Sequence, residues 1–118
     1  LVVAGAYHSR LMAGAQAKLG EALAAAPVGT PGIPVVSNFA ASPVSGADDI
    51  RATLEKQVTG SVRWVESMEY ILAGDKPVFL ELGPGKVLAG LMKRIDGEAE
   101  VISVEDSESL EAAVARLG

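Results

Sequence analysis

The chain contains one histidine, His8, and no cysteine, so any chemistry it performs must run through that imidazole, its 15 carboxylates, hydroxyls or amides. The absence of cysteine excludes a disulfide framework, a thiolate nucleophile and a Cys-based zinc site, and one histidine argues against a His-rich metal centre. No metal and no cofactor is expected. An imidazole changes charge nearer neutral pH than any other unperturbed side chain, which suits a general base. His8 stands in Gly5-Ala6-Tyr7-His8-Ser9-Arg10, between an apolar opening, Leu1-Val2-Val3-Ala4, that reads as a strand, and a helical pattern that follows. In open α/β sheets the crevice beyond the strand carboxyl ends is where ligands bind, so the place favours function. A histidine at a helix start can equally well hydrogen-bond a backbone group and do nothing more; position alone does not separate the two readings. A second candidate is Gly83-Pro84-Gly85-Lys86, whose amides could cradle a phosphate between strand and helix. It lacks the Gly-x-x-x-x-Gly-Lys-Ser/Thr spacing of a nucleotide loop, with Val87 in the hydroxyl position, and reads better as a tight turn beside the active-site crevice.

The elements that must position these residues follow from periodicity. Leu11, Met12, Ala15, Leu19, Leu23 and Ala26 recur at helical spacing, predicting a helix from about Arg10 to Ala26 that Pro27, Pro31 and Pro34 end. Ile33-Pro34-Val35-Val36 suits a short buried strand, followed by a Ser/Pro/Gly-rich loop to Gly46. Asp48 is the expected N-cap of a helix carrying Ile50, Leu54 and Val58, and Gly60 separates it from another holding Trp64, Val65, Met68, Ile71 and Leu72. Val78 to Leu82 is the clearest strand, running into the Gly-Pro-Gly turn and a helix with Val87, Leu88, Leu91, Met92 and Ile95. Val101 to Val104 makes a further strand, and Ser107 is the expected cap of a last helix bearing Leu110, Val114 and Leu117. Strands alternating with helices imply an α/β fold, a parallel sheet flanked by helices. At 118 residues and 49% apolar content the chain is at most one globular domain, with no stretch of the ~18 apolar residues a membrane span needs. A net charge of −5, with scattered basic residues, argues against nucleic acid as a partner, and an acidic partner would have to meet a local basic patch. Expected, then, are no nucleic acid, no membrane and a cytoplasmic location.

The run Gly5-Ala6-Tyr7-His8-Ser9-Arg10-Leu11-Met12 is similar to the histidine motif of malonyl-CoA:acyl-carrier-protein transacylases and of the acyltransferase domains of polyketide and fatty-acid synthases. Pro34-Val35-Val36-Ser37-Asn38, Gln57-Val58-Thr59-Gly60-Ser61-Val62-Arg63-Trp64, Glu81-Leu82-Gly83-Pro84-Gly85-Lys86-Val87-Leu88 and Lys93-Arg94-Ile95 resemble the same family in the same order, and together the motifs cover nearly the whole chain. The resemblance implies a ping-pong transfer, in fatty acid biosynthesis, of a malonyl group from malonyl-CoA to the phosphopantetheine thiol of acyl carrier protein. In it His8 is the base that activates a serine. It implies further that the backbone carbonyl of Gln57 orients the imidazole, so that Gln57→Ala should be mild. Tyr7 would be a substrate-pocket residue: an aromatic before the histidine accompanies malonyl, whereas a serine there accompanies methylmalonyl. Phenylalanine is the more usual aromatic, and a buried tyrosine hydroxyl would need a polar partner. Asn38, at a strand end, would stand behind the catalytic groups, unless it is only a loop-entry residue.

By the same resemblance residues 1–118 are the C-terminal part of the hydrolase-like large subdomain of the acyltransferase fold. The serine-bearing N-terminal part and a ferredoxin-like subdomain are absent. No Gly-x-Ser-x-Gly elbow occurs in the chain, Ser9 adjoins His8 but should point away from it, and none of Arg10, Arg51, Arg63 or Arg94 matches the family's malonate-binding arginine. The expected partners are therefore malonyl-CoA, acyl carrier protein and the missing part of the same enzyme, with the isolated chain inactive. The alternatives are a non-catalytic carrier-protein or coenzyme A binding module, and a fragment of a polyketide synthase acyltransferase domain; the short distance from the last motif to Gly118 mildly favours a freestanding parent.

Overall fold

A computed structural model of the protein describes residues 5–74 and 78–118, which form two compact units meeting between Ser67 and Met68. The strand expected over Leu1 to Ala4 lies outside the described residues.

In the first unit a 3-10 turn, Arg10–Met12, leads into α1, Ala13–Ala25. The helix stops because Pro27 forces the residue before it out of the helical region, and Ala26 has φ −76° and ψ 139°. Two short strands, β1 (Val36–Ser37) and β2 (Ser42–Pro43), pair antiparallel, Val36 with Pro43 and Ser37 with Ser42. This departs from the buried strand expected over Ile33 to Val36. Pro31 and Pro34 carry no N–H for a ladder, Ile33 is 75% exposed, and the Ser37 hydroxyl accepts from the amides of Phe39 and Ala40, turning the chain back on itself. Helix α2, Ala47–Gln57, follows. Its N-cap is Gly46 rather than Asp48; the neighbouring Asp49 carboxylate reaches back to the Ser45 amide at 2.9 Å.

Helices α1 and α2 run antiparallel. Gln16 hydrogen-bonds Thr59, a Cβ at Gly20 would stand 3.2 Å from the Glu55 carboxyl carbon, and Arg51 donates to the carbonyls of Leu23 and Ala26 at 3.0 Å each. Arg51 thereby satisfies carbonyls that the end of α1 leaves open. Helix α3, Trp64–Leu72, spans the boundary between the units, with Ser67 buried and its hydroxyl on the Arg63 carbonyl at 2.7 Å.

In the second unit β3 (Phe79–Leu82) and β4 (Val101–Val104) pair parallel, Phe79 opposite Val101 through Leu82 opposite Val104. Their crossover is α4, Val87–Ile95, and α5, Ser107–Leu117, follows. The fold is thus mixed helix and strand with a parallel sheet. Helix α5 is capped by Asp106 and not by Ser107: the Asp106 carboxylate accepts from the Ser109 amide at 2.8 Å while the Ser109 hydroxyl accepts from the Asp106 amide at 3.0 Å. Among the described residues the buried apolar side chains are Met68, Met92 and Ala113, while Leu11, Leu82 and Val87 are each more than 70% exposed.

Candidate functional site

His8 sits in the left-handed region, φ +57°, which non-glycine residues seldom adopt. The residue after it holds that turn. Ser9 Oγ donates to the Ala6 carbonyl at 2.6 Å and accepts from the Leu11 amide at 3.3 Å, so the backbone is fastened on both sides of His8. Ser9 is therefore occupied as the cap of the 3-10 turn. Strain of this kind, of order 1–3 kcal/mol, persists only where neighbouring structure holds it, and it gathers at functional positions.

The imidazole reaches the C-terminus of α2, with His8 Nδ1 2.9 Å from the Gln57 carbonyl oxygen. The last carbonyls of a helix have no partner within it. Here the Val58 amide takes that of Glu55, the Gly60 amide takes that of Lys56, and His8 takes that of Gln57. A carbonyl only accepts, so Nδ1 must carry the proton, which leaves Nε2 as the lone-pair nitrogen of the neutral ring. The Gln57 side-chain amide nitrogen, 3.4 Å from Nδ1, is then in contact with it and not bonded to it, since both nitrogens bear hydrogen. That amide instead donates to the Gly60 carbonyl at 2.9 Å and the Ser61 carbonyl at 3.4 Å, and its oxygen is buried with no partner among the described residues. Gln57 thus fixes the loop after α2 with its side chain and the imidazole with its main chain.

Tyr7 is 63% exposed, its ring over Gly5, so its hydroxyl needs no protein partner. Asn38 is exposed; its carbonyl accepts from the Arg63 amide at 2.8 Å, and no hydrogen bond joins its side chain to His8. With Val36, Ile50, Leu54 and Gln57 it lines a cavity of about 230 Å³ between the hairpin and α2. The structure brings His8 and Gln57 together, then, while Asn38 shares the lining of a cavity with Gln57. Sequence reasoning used Gly60 only as a helix separator and missed the approach of the Phe39 ring, 2.6 Å from where its Cβ would stand, and it missed the Thr59–Gln16 bond of 2.8 Å; both depend on contacts between distant segments that no local pattern encodes.

The turn Gly83 to Lys86 has Gly83 at φ +128° and Gly85 at φ +92°, which explains its glycines. Three of the amides a phosphate could use are taken by carboxylates. Glu81 accepts from Leu88 at 2.8 Å and Ala89 at 3.2 Å at the start of α4, and Glu105 accepts from Gly85 at 3.1 Å. Burial pushes the Glu81 carboxyl up, but those two amides, the Ser103 hydroxyl and the Lys86 charge outweigh it and hold the carboxyl below its ordinary value. Among the described residues no group of three His, Asp or Glu could hold a metal ion, and no helix is long and apolar enough to cross a membrane.

No protein-family model matches the chain. The malonyl CoA-acyl carrier protein transacylase of Bacillus subtilis is 38% identical over 117 residues, 99% of this chain and 37% of the relative. The crystal structure of the acyl-carrier-protein-S-malonyltransferase from Bartonella henselae superposes with a TM-score of 0.92 at 37% identity, over 100% of this chain and 38% of that one. A malonyl-transacylase solved in complex with its type II polyketide acyl-carrier protein gives 0.88 at 36% identity, over 98% of this chain and 38% of that one. The chain therefore spans little more than a third of the length of the relatives it matches. Along 99% of its own length the chain is similar to proteins named malonyl CoA-acyl carrier protein transacylase.

Proposed function

We propose that this chain is the histidine-bearing, C-terminal segment of the acyltransferase core, in an enzyme that moves a malonyl group from coenzyme A to the phosphopantetheine thiol of acyl carrier protein. The serine nucleophile and the ferredoxin-like subdomain belong to a segment outside these 118 residues. The observation that carries the reading is the His8 Nδ1 contact with the Gln57 carbonyl, which leaves Nε2 free to face a serine hydroxyl. As the serine oxygen attacks the thioester carbon, Nε2 takes its proton, and the imidazolium returns that proton to the departing coenzyme A sulfur. In the second half Nε2 takes the proton of the carrier thiol, whose sulfur displaces the serine oxygen from the malonyl carbonyl, and the imidazolium returns that proton to the serine oxygen. Tyr7 borders the acyl pocket, and Asn38 supports the Gln57 side of the site. One relative is named for polyketide biosynthesis and one neighbouring structure holds a type II polyketide carrier, so a polyketide carrier is the second candidate partner beside the carrier of fatty acid biosynthesis.

In the enzyme assembled from this chain and a serine-bearing segment, His8→Ala should lower malonyl transfer by about 10²–10⁴-fold, the contribution typical of a positioned acid–base group. Steady-state transfer from malonyl-CoA to carrier protein measures it, and near-normal turnover of the variant would sink the assignment.

A further inference from the structure

We propose that Thr59 and Gln16 are positioning residues for His8: their mutual hydrogen bond fixes the register of α1 against α2 and so holds the imidazole on the Gln57 carbonyl. The proposal rests on the reading of His8 as the base and deepens it.

The His8–Gln57 bond is exposed, so water competes for both groups, and His8 must also be kept in the left-handed region. A bond in that setting does not place a ring by itself; the elements bearing its two ends must be fixed first. His8 belongs to the segment that enters α1, and Gln57 ends α2. Yet α1, Ala-Gly-Ala-Gln-Ala-Lys-Leu-Gly-Glu-Ala-Leu-Ala-Ala, has no fully buried residue. Small side chains make a smooth surface, and smooth surfaces slide, because neighbouring registers bury similar area. Directional polar bonds must then choose the register, and they stand at the two ends of the helix pair. At the far end Arg51 holds the Leu23 and Ala26 carbonyls. At the end nearest His8, Thr59 Oγ1 donates to Gln16 Oε1 at 2.8 Å, part-buried and two residues beyond Gln57. Both partners are uncharged, so the bond can set the position of the imidazole without adding a charge beside it.

The single histidine makes the test direct, because ¹⁵N-histidine labelling of the 118-residue chain yields one imidazole whose nitrogen shifts report its tautomer. The wild-type chain should show the Nδ1–H form, Thr59→Val a mixture with the Nε2–H form, and Thr59→Ser, which restores the donor, the wild-type spectrum. In the assembled enzyme Thr59→Val should lower kcat roughly tenfold with KM unchanged, as misplacement of a base does. A wild-type ring already in the Nε2–H form would overturn the reading of His8 as the base. A wild-type Nδ1–H ring that Thr59→Val leaves unaltered would overturn the positioning role alone. Should Thr59→Val lose its helical circular dichroism, Gln16→Ala breaks the same bond from the other side; loss of fold in both variants would assign the pair to stability and overturn the proposal.

Discussion

Gly60→Ala tests the loop that carries the site, and its cost can be worked from the structure. An added Cβ would stand 2.6 Å from both Cδ2 and Cε2 of Phe39 and 2.9 Å from the Lys56 carbonyl oxygen. Carbon atoms rest about 3.5–4.0 Å apart, so the overlap is close to 1 Å and something must move. If the Phe39 ring yields, it leaves its rotamer well at ~0.5–1.5 kcal/mol. If the backbone yields, it strains the Gly60 amide bond to Lys56 or the Gln57 amide bond to the Gly60 carbonyl, both 2.9 Å and each contributing ~0.5–1.5 kcal/mol. Both routes lie within the ~1–3 kcal/mol typical of overpacking, and the smaller unfolded-state entropy of alanine offsets ~0.4–1 of it. The expected net loss is about 1–2 kcal/mol. Trp64 is the chain's only tryptophan, so urea unfolding followed by its fluorescence reads this region, and the midpoint should fall by about 0.5–1 M. Gly14→Ala supplies the opposite sign: it lies in α1, its added Cβ would meet nothing within 4 Å beyond its chain neighbours and the local helix backbone, and it should stabilise by roughly 0.5–1 kcal/mol. A Gly60→Ala midpoint at or above wild type, with Gly14→Ala behaving as expected, would refute the close approach of Phe39 to Gly60.

Glu81→Gln should weaken the second unit at neutral pH and flatten its acid limb. The carboxyl is held below its ordinary value of 4.5, so its contribution is complete above that value and is lost as pH falls through the lower, folded value. Asp106 is lowered by its Ser109 bonds and stays in the variant, so some acid dependence should persist; thermal melts at pH 7 and pH 3 compare the two proteins, and an unchanged acid limb would contradict the role given to Glu81. On the proposed function, Tyr7→Ser in the assembled enzyme should raise the kcat/KM ratio of methylmalonyl-CoA to malonyl-CoA by about tenfold or more, the discrimination one methyl group commands; competition between the two thioesters measures it, and an unchanged ratio would remove Tyr7 from the acyl pocket.

How much was legible in the sequence depended on the distance over which each feature is encoded. Apolar periodicity is local, and it located α1, α2, α3, α4 and α5 to within a few residues and β4 to its ends. Ile33 to Val36 failed because apolar character does not reveal that Pro31 before the run and Pro34 within it remove ladder donors, or that Ser37 turns the chain into a hairpin. Caps failed by two positions at Asp48 and by one at Ser107, since neighbouring residues of capping type compete and local geometry decides. Glu81 was read as part of a strand, although a carboxylate before a Gly-Pro-Gly turn could have been matched to the open amides of the following helix. Within the site, His8 stood out by type and by place. Gln57 had no signal of its own beyond the family resemblance, because its main chain makes the contact and any residue there presents the same carbonyl.

That last point bears on where evolution and engineering can act on this site. A carboxylate behind a catalytic imidazole supplies both direction and charge, so its loss is felt through the electrostatics of the ring. A carbonyl supplies direction alone. On the proposed reading, the accuracy of His8 then depends on where α2 ends relative to the start of α1, and that relation is held by Thr59, Gln16 and Arg51, none of which touches the imidazole through its side chain. The mildness expected of Gln57→Ala needs revising in the same light. The variant keeps the carbonyl but deletes the amide that holds Gly60 and Ser61, so the loop beyond α2 loosens and the carbonyl loses its fixed direction. Its effect should therefore track that of Gly60→Ala and Thr59→Val, appearing as a wandering ring, and not as a missing partner.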